Sequence, residues 1–211
     1  FEYVEAVGRL NAADSPWCAE QRESAVDMVL GIQTLDPTTQ FAAFMGIKLL
    51  EADIAMPPVK GVKVRFFTVI GVCQSLDEGE EPAEHVKDQF FEAKSMLGSC
   101  STEEQQDLRV LSGFAGAALL HSVVSSRSRH LDTIREALNV LMPKIQYVSR
   151  RRLDMNAIRE GVRPWQEMCR DTVLDVNRLK PHSDNEDLRE FAGSVVELAE
   201  NILGAIDGLV R

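Results

Sequence analysis

Apolar residues along this chain return every three or four positions, the period of a helix that buries one face. Leu131, Ile134, Leu138 and Leu141 keep that step, and Ile145 and Val148 continue it beyond Pro143. A second stripe runs through Met155, Ile158, Val162, Trp165, Cys169, Val173, Val176 and Leu179, crossing Pro164. The third holds Leu188, Phe191, Val195, Leu198, Ile202, Ile206 and Leu209, widened by Val196, Leu203 and Val210. Val86, Phe90, Ala93 and Leu97 form a shorter one. Phe41–Ile54 and Leu108–Val124 are apolar over a broader arc, as inner helices are. One segment is ambiguous: Val62, Val64 and Phe66 alternate like a strand, whereas Val62, Phe66, Val69 and Cys73 fit a helix. A lone strand would leave its backbone groups unpaired, so a helix is expected over 59–73.

Punctuation divides these stripes. Prolines stand at 16, 37, 57, 58, 82, 143, 164 and 181, and the Ser101–Thr102 pair and the Ser125–Ser128 cluster fill the long gap. Breaks every twenty-odd residues match helix plus turn. Asp14 and Ser15 before Pro16, and Asp36 before Pro37, are helix-start signals. Ser101 with Glu104, and Ser183 with Glu186, have capping-box spacing. The expectation is all-α: eight to nine antiparallel helices in a single domain over 1–211. A HEAT- or armadillo-like α-solenoid stack is preferred for the even spacing, with a compact multi-helix bundle as the alternative.

Composition is consistent with this and narrows the function. Of 211 residues, 45% are hydrophobic and 27% charged, so the chain has the makings of a sizeable core. Aromatics at 6% argue against many short strands. The apolar stretch Val110–Ser126 is shorter and more polar than a membrane span of roughly 20 residues, so no transmembrane segment is expected. The N-terminus lacks a signal-peptide pattern, and Phe1 is the start expected of an excised or processed part of a longer chain. Cys18, Cys73, Cys100 and Cys169 are widely spaced, matching neither a disulfide scaffold nor a zinc site. Reduced thiols in an intracellular, cytoplasmic setting are expected.

A net charge of −10 disfavours general nucleic-acid binding by the whole chain. The middle differs: residues 127–180 hold twelve basic side chains against seven acidic ones. Arg127, Arg129, Arg135, Lys144, Arg150, Arg151, Arg152, Arg159 and Arg163 could steer an acidic protein, a phosphate-bearing ligand or an anionic membrane. They could equally pair with the acidic helices beside them.

Chemistry-bearing motifs are missing. There is no phosphate-binding glycine loop, no His-Glu-x-x-His and no Gly-x-Ser-x-Gly. Cys100 is the best nucleophile candidate, before a helix start and with His121 or His130 as base, although Glu103, Glu104 and Asp107 oppose a thiolate. The acidic run Asp77, Glu78, Glu80, Glu81, Glu84 lacks the ligand alternation and central glycine of a calcium loop. No metal or cofactor is implied. The reading is a protein–protein interaction module, scaffold or adaptor, without catalytic activity. Its partner would be a protein with an acidic or amphipathic-helix surface, bound through Arg127, Arg129, Lys144, Arg150, Arg151, Arg152, Arg159 and Arg163. The alternatives are anion recognition (nucleic acid or acidic phospholipid) by the 127–163 stripe, and a cysteine-dependent enzyme using Cys100.

Overall fold

The computed structural model describes residues 16–31, 37–52, 54–77, 79–147 and 154–210. Among them are seven α-helices and no strand. They are α1 (Pro16–Gly31), α2 (Pro37–Glu51), α3 (Pro58–Ser75), α4 (Glu84–Met96), α5 (Thr102–Tyr147), α6 (Met155–Leu179) and α7 (Glu186–Val210). Short 3-10 turns follow α4 and α6 at Leu97–Ser99 and Lys180–His182. The chain divides into two compact units: 1–77 with 82–119, and 78–81 with 120–211.

In the first unit α3 is the central helix, touching α1, α2 and α4. Its residues Gly61, Val62, Val64, Phe66, Thr68, Val69, Ile70 and Gly71 are buried. Cover on several sides explains why this segment resembles a strand in the sequence: apolar residues on every face blur the helical period. Ala25, Val26 and Val29 of α1 close with Met45 and Leu49 of α2, Ile54 and Val64 into one cluster. On the other flank Phe66 meets Phe90 of α4 with ring centroids 5.9 Å apart. Lys60 ties α3 to α1 at the surface, its Nζ 2.8 Å from Glu23 and 2.7 Å from Asp27. Those contacts, Asp27 foremost, raise the Lys60 pKa.

The α2–α3 crossing depends on Gly46. A β-carbon there would collide with the Thr68 hydroxyl, which donates to the Val64 carbonyl at 2.8 Å in a buried setting. Gly46→Ala is therefore expected to cost about 1–3 kcal/mol in urea unfolding. Adding Thr68→Ala removes the colliding atom and is expected to recover much of the loss. Additive effects of the two changes would contradict the close approach.

The second unit pairs α6 with α7 along their length. Val162, Cys169, Thr172, Val176 and Leu179 are buried on α6. On α7 the buried row is Ala192, Val195, Ala199, Ile202, Ile206 and Leu209. The sequence stripe differs there, because it follows bulk. Phe191 is exposed and Leu198 half-buried, while the small Ala192 and Ala199 are fully buried. Gln166 Nε2 donates to Asp207 across the pair at 2.9 Å.

Three expected boundaries are not breaks. The Ser125–Ser128 cluster, Pro143 and Pro164 all lie inside helices, so α5 runs for 46 residues and the expected eight or nine helices reduce to seven among the described residues. Val123, Val124, Leu131 and Ile134 hold one buried phase through the serines. The prolines remove the hydrogen bonds to the carbonyls of Asn139 and Glu160, both on exposed residues, where solvent is at hand for the carbonyl. The even spacing behind the expected stack is thus interrupted by α5.

Of the capping motifs, Ser101–Glu104 is formed reciprocally. The Ser101 amide donates to Glu104 Oε2 at 2.8 Å, and the Glu104 amide to Ser101 Oγ at 3.4 Å. Ser183 does not cap α7; Asn185 does, accepting from the Leu188 amide at 3.0 Å. Asp154, a cap not among those expected from the sequence, caps α6 by accepting from the amides of Asn156 and Ala157. Asp14, Ser15 and Asp36 lie outside the described residues, although α1 and α2 do begin at Pro16 and Pro37.

The Ser101 contacts hold the Glu104 pKa below its ordinary value near 4.5. A depressed carboxyl pKa stabilises the fold above the unfolded value, and that contribution is lost as pH falls through the folded value. The stability difference between wild type and Glu104→Gln is accordingly expected at neutral pH and to shrink below pH 4.5. A difference independent of pH would contradict the capping role.

Candidate functional site

The basic stripe lies partly on α5 and α6, where helix phase decides which side chains reach solvent. Arg127 does not, being 9% exposed. Its Nε lies 2.7 Å from Glu81 Oε2, and its Nη2 donates to Glu81 Oε1 at 2.8 Å. Asp175 of α6 stands 3.5 Å from the same Nη2, and Nη1 points to the Met168 sulfur at 2.9 Å. A guanidinium ion-paired and hydrogen-bonded through Nη2 to one carboxylate while a second stands by is a structural clasp, positioned by α5 and α6.

Arg129, exposed on the same helix, passes over Gly79. Gly79 has φ +96°, a backbone conformation that other residues rarely adopt, which favours glycine beneath the Arg129 side chain. Arg135 pairs with Asp132 at 2.7 Å. On α6, Arg163 donates to Glu167 at 2.9 Å in an exposed pair. Arg159 donates to the Val210 carbonyl through Nε and Nη2, at 3.3 and 3.0 Å, and so caps the C-terminal end of α7. Lys144 is exposed near the end of α5. Arg150, Arg151 and Arg152 lie outside the described residues. Arg127, Arg159 and Arg163 thus direct donors to acceptors of their own chain.

The acidic run is divided rather than gathered. Glu81 serves Arg127, and Glu84 pairs with Lys87 at 3.1 Å in the first turn of α4. Glu78 lies outside the described residues. Among the described residues, His, Cys, Asp and Glu form no group of three suited to a metal.

Cys100 is 7% exposed at the foot of α5, its thiol directed to the Met96 carbonyl at 3.9 Å. Burial, and secondarily the Glu104 carboxylate, raise its pKa above the ordinary value. That is the reverse of an activated nucleophile, because the thiolate is the disfavoured form. His130 Nδ1 sits 3.1 Å from the Ser126 carbonyl, and His121 is exposed. Both histidines belong to the second unit and Cys100 to the first. Cys169 is fully buried, and burial pushes it up to about 11. Iodoacetamide at neutral pH is expected to modify Cys100 and Cys169 only slowly until the chain is unfolded. Rapid modification of native Cys100 would contradict this and restore the cysteine chemistry.

Uncovered apolar surface is what the stripe reading missed. In the first unit Val110 and Phe114, one turn apart on α5, are 63% and 66% exposed. The half-buried Ala117 and Ala118 continue the line. The second unit has an open groove of about 450 Å³, walled by Thr133, Ala137, Val140 and Leu141 of α5 and Trp165 of α6. Glu136 and Lys144 stand at its rim. Period alone places Leu141 and Trp165 in core stripes. Val140, off the stripe yet apolar, was the signal available in the sequence.

By length and composition alone, the helix over Thr102–Ile145 could cross a membrane, but half of its most apolar window is buried inside the fold. A core helix passes the same test. No protein-family model matches the chain, and neither a curated protein nor a solved structure matches it.

Proposed function

We propose that this chain is an all-helical interaction module, a scaffold or adaptor without chemistry of its own, whose working surface is apolar. The observation that carries the reading is the Val110–Phe114 pair. Two large side chains one turn apart are left in water on a helix that also contributes buried residues to the core. Their i, i+4 spacing, continued by Ala117 and Ala118, suits the apolar stripe of an amphipathic helix from a partner protein, the small residues allowing close approach. The described ionisable groups support this: the buried Arg127 and the exposed Arg159 and Arg163 hold carboxylates or a carbonyl of the chain itself, and the two buried thiols resist ionisation.

Capture from a cell lysate with wild type and Phe114→Asp tests it. Phe114 is exposed, so the substitution leaves the core intact. A discrete protein held by wild type and lost with the variant is the expected result. Equal capture by both forms would move the working surface elsewhere. Anion recognition is the second reading, favoured by the exposed Arg129, Lys144 and Arg163. It requires that the captured species be nucleic acid or acidic lipid, released between low and physiological salt.

A further inference from the structure

The groove on the second unit has a charge pattern that selects its own occupant. Thr133, Ala137, Val140, Lys144 and Tyr147 recur at steps of four and three, so they share one face of α5. Val140 is 59% exposed and Tyr147 96% exposed, and Trp165 walls the groove from α6. Glu136 and Lys144, opposite in sign, flank Val140 four residues to either side. Both are exposed, and neither pairs with another described residue. These long side chains therefore bracket an apolar centre with one negative and one positive end.

We propose that this face is the seam of a homodimer, in which two copies of the chain pair antiparallel about a two-fold axis at Val140. In that register the residue n positions before Val140 lies level with the partner's residue n positions after it. Glu136 then comes level with the partner's Lys144, and Lys144 with the partner's Glu136. Thr133 faces the partner's Tyr147. One contact made twice is the signature of an isologous interface. An apolar centre with a charged rim is the usual interface anatomy. Parallel pairing would set Glu136 against the partner's Glu136 and Lys144 against the partner's Lys144, and is repelled. A uniformly acidic or basic helix would satisfy one rim charge and oppose the other, whereas a second copy satisfies both. This inference goes beyond the interaction reading and needs no partner protein, so either can fail without the other.

Sedimentation velocity of the full chain across a wide concentration range is the test, using Glu136→Lys, Lys144→Glu, the double exchange and an equimolar mixture of the two single variants. Wild type is expected to dimerise with rising concentration. Each single exchange sets like charges level across the seam and weakens self-association by roughly tenfold or more. The double exchange restores it. The mixture associates where neither variant does alone, because a chain with lysine at both rim positions then meets one with glutamate at both. Circular dichroism verifies that these exposed exchanges leave helix content unchanged. A wild-type monomer at all concentrations overturns the proposal, as does a dimer indifferent to both single exchanges. Single exchanges that weaken association without rescue in the mixture overturn the antiparallel register. A monomer that instead holds a different protein through Val140 assigns the groove to that occupant and also overturns it.

Discussion

Phe66→Ala is expected to lower the unfolding free energy by about 3–5 kcal/mol, the largest loss for a single substitution in the first unit. Phe66 is fully buried on the central helix α3, which three other helices touch. Its ring packs at 54° against fully buried Phe90, which in turn meets Phe91 edge-on with centroids 5.3 Å apart. Truncation removes transfer free energy and the aromatic contact, and it leaves a cavity that helices fixed on both flanks close only partly. Phe66→Leu retains most of the volume and should cost about 1–2 kcal/mol. Equilibrium urea unfolding followed by helical circular dichroism reads both values. A loss below about 1 kcal/mol for Phe66→Ala would show that α3 is not the centre of the first unit.

Arg127→Met carries the second large expectation, a loss of about 2–3 kcal/mol. Methionine keeps the stem but leaves the Glu81 and Asp175 carboxylates, with side chains 22% and 25% exposed, without their shared cation. Removing one partner of a deeply buried pair costs about 3–5 kcal/mol, and water reaching these carboxylates reduces that figure. Adding Glu81→Gln and Asp175→Asn removes the negative charges that Arg127 balances, so the triple variant should be more stable than Arg127→Met alone. A triple variant less stable still would mean that the carboxylates matter for other contacts more than for Arg127. The substitution reads fold stability and not a surface role, because Arg127 is buried.

How far the sequence reached is visible at Arg127 and Pro164. Helix period placed the buried rows on α4, α5 and α6, because bulky residues at steps of three and four leave few alternatives. It could not distinguish a proline that starts a helix from one inside it. Pro143 and Pro164 are the same residue as Pro16, and at Pro164 the buried row, with Val162 before it and Cys169 after it, carries the helix through. Nor could period show that the small Ala192 and Ala199 are the fully buried positions of α7 while the nearby bulky Phe191 is exposed and Leu198 half-buried. The basic stripe was legible as composition, but the partners of its arginines were not. Glu81 lies 46 positions from Arg127 in the chain, a pairing that no local pattern encodes. The exposed line at Val110 and Phe114 was invisible for the converse reason. Those residues look like core until the surrounding helices are placed and leave them uncovered.

The central claim, that the working surface is apolar rather than basic, is tested most directly by quantitative lysate capture at physiological salt. Wild type would be compared with Phe114→Asp and with Arg150→Glu/Arg151→Glu/Arg152→Glu. The account predicts a discrete protein bound by wild type, largely retained by the triple arginine variant and lost with Phe114→Asp. Loss with the arginine variant and retention by Phe114→Asp would contradict it and return the function to the basic segment.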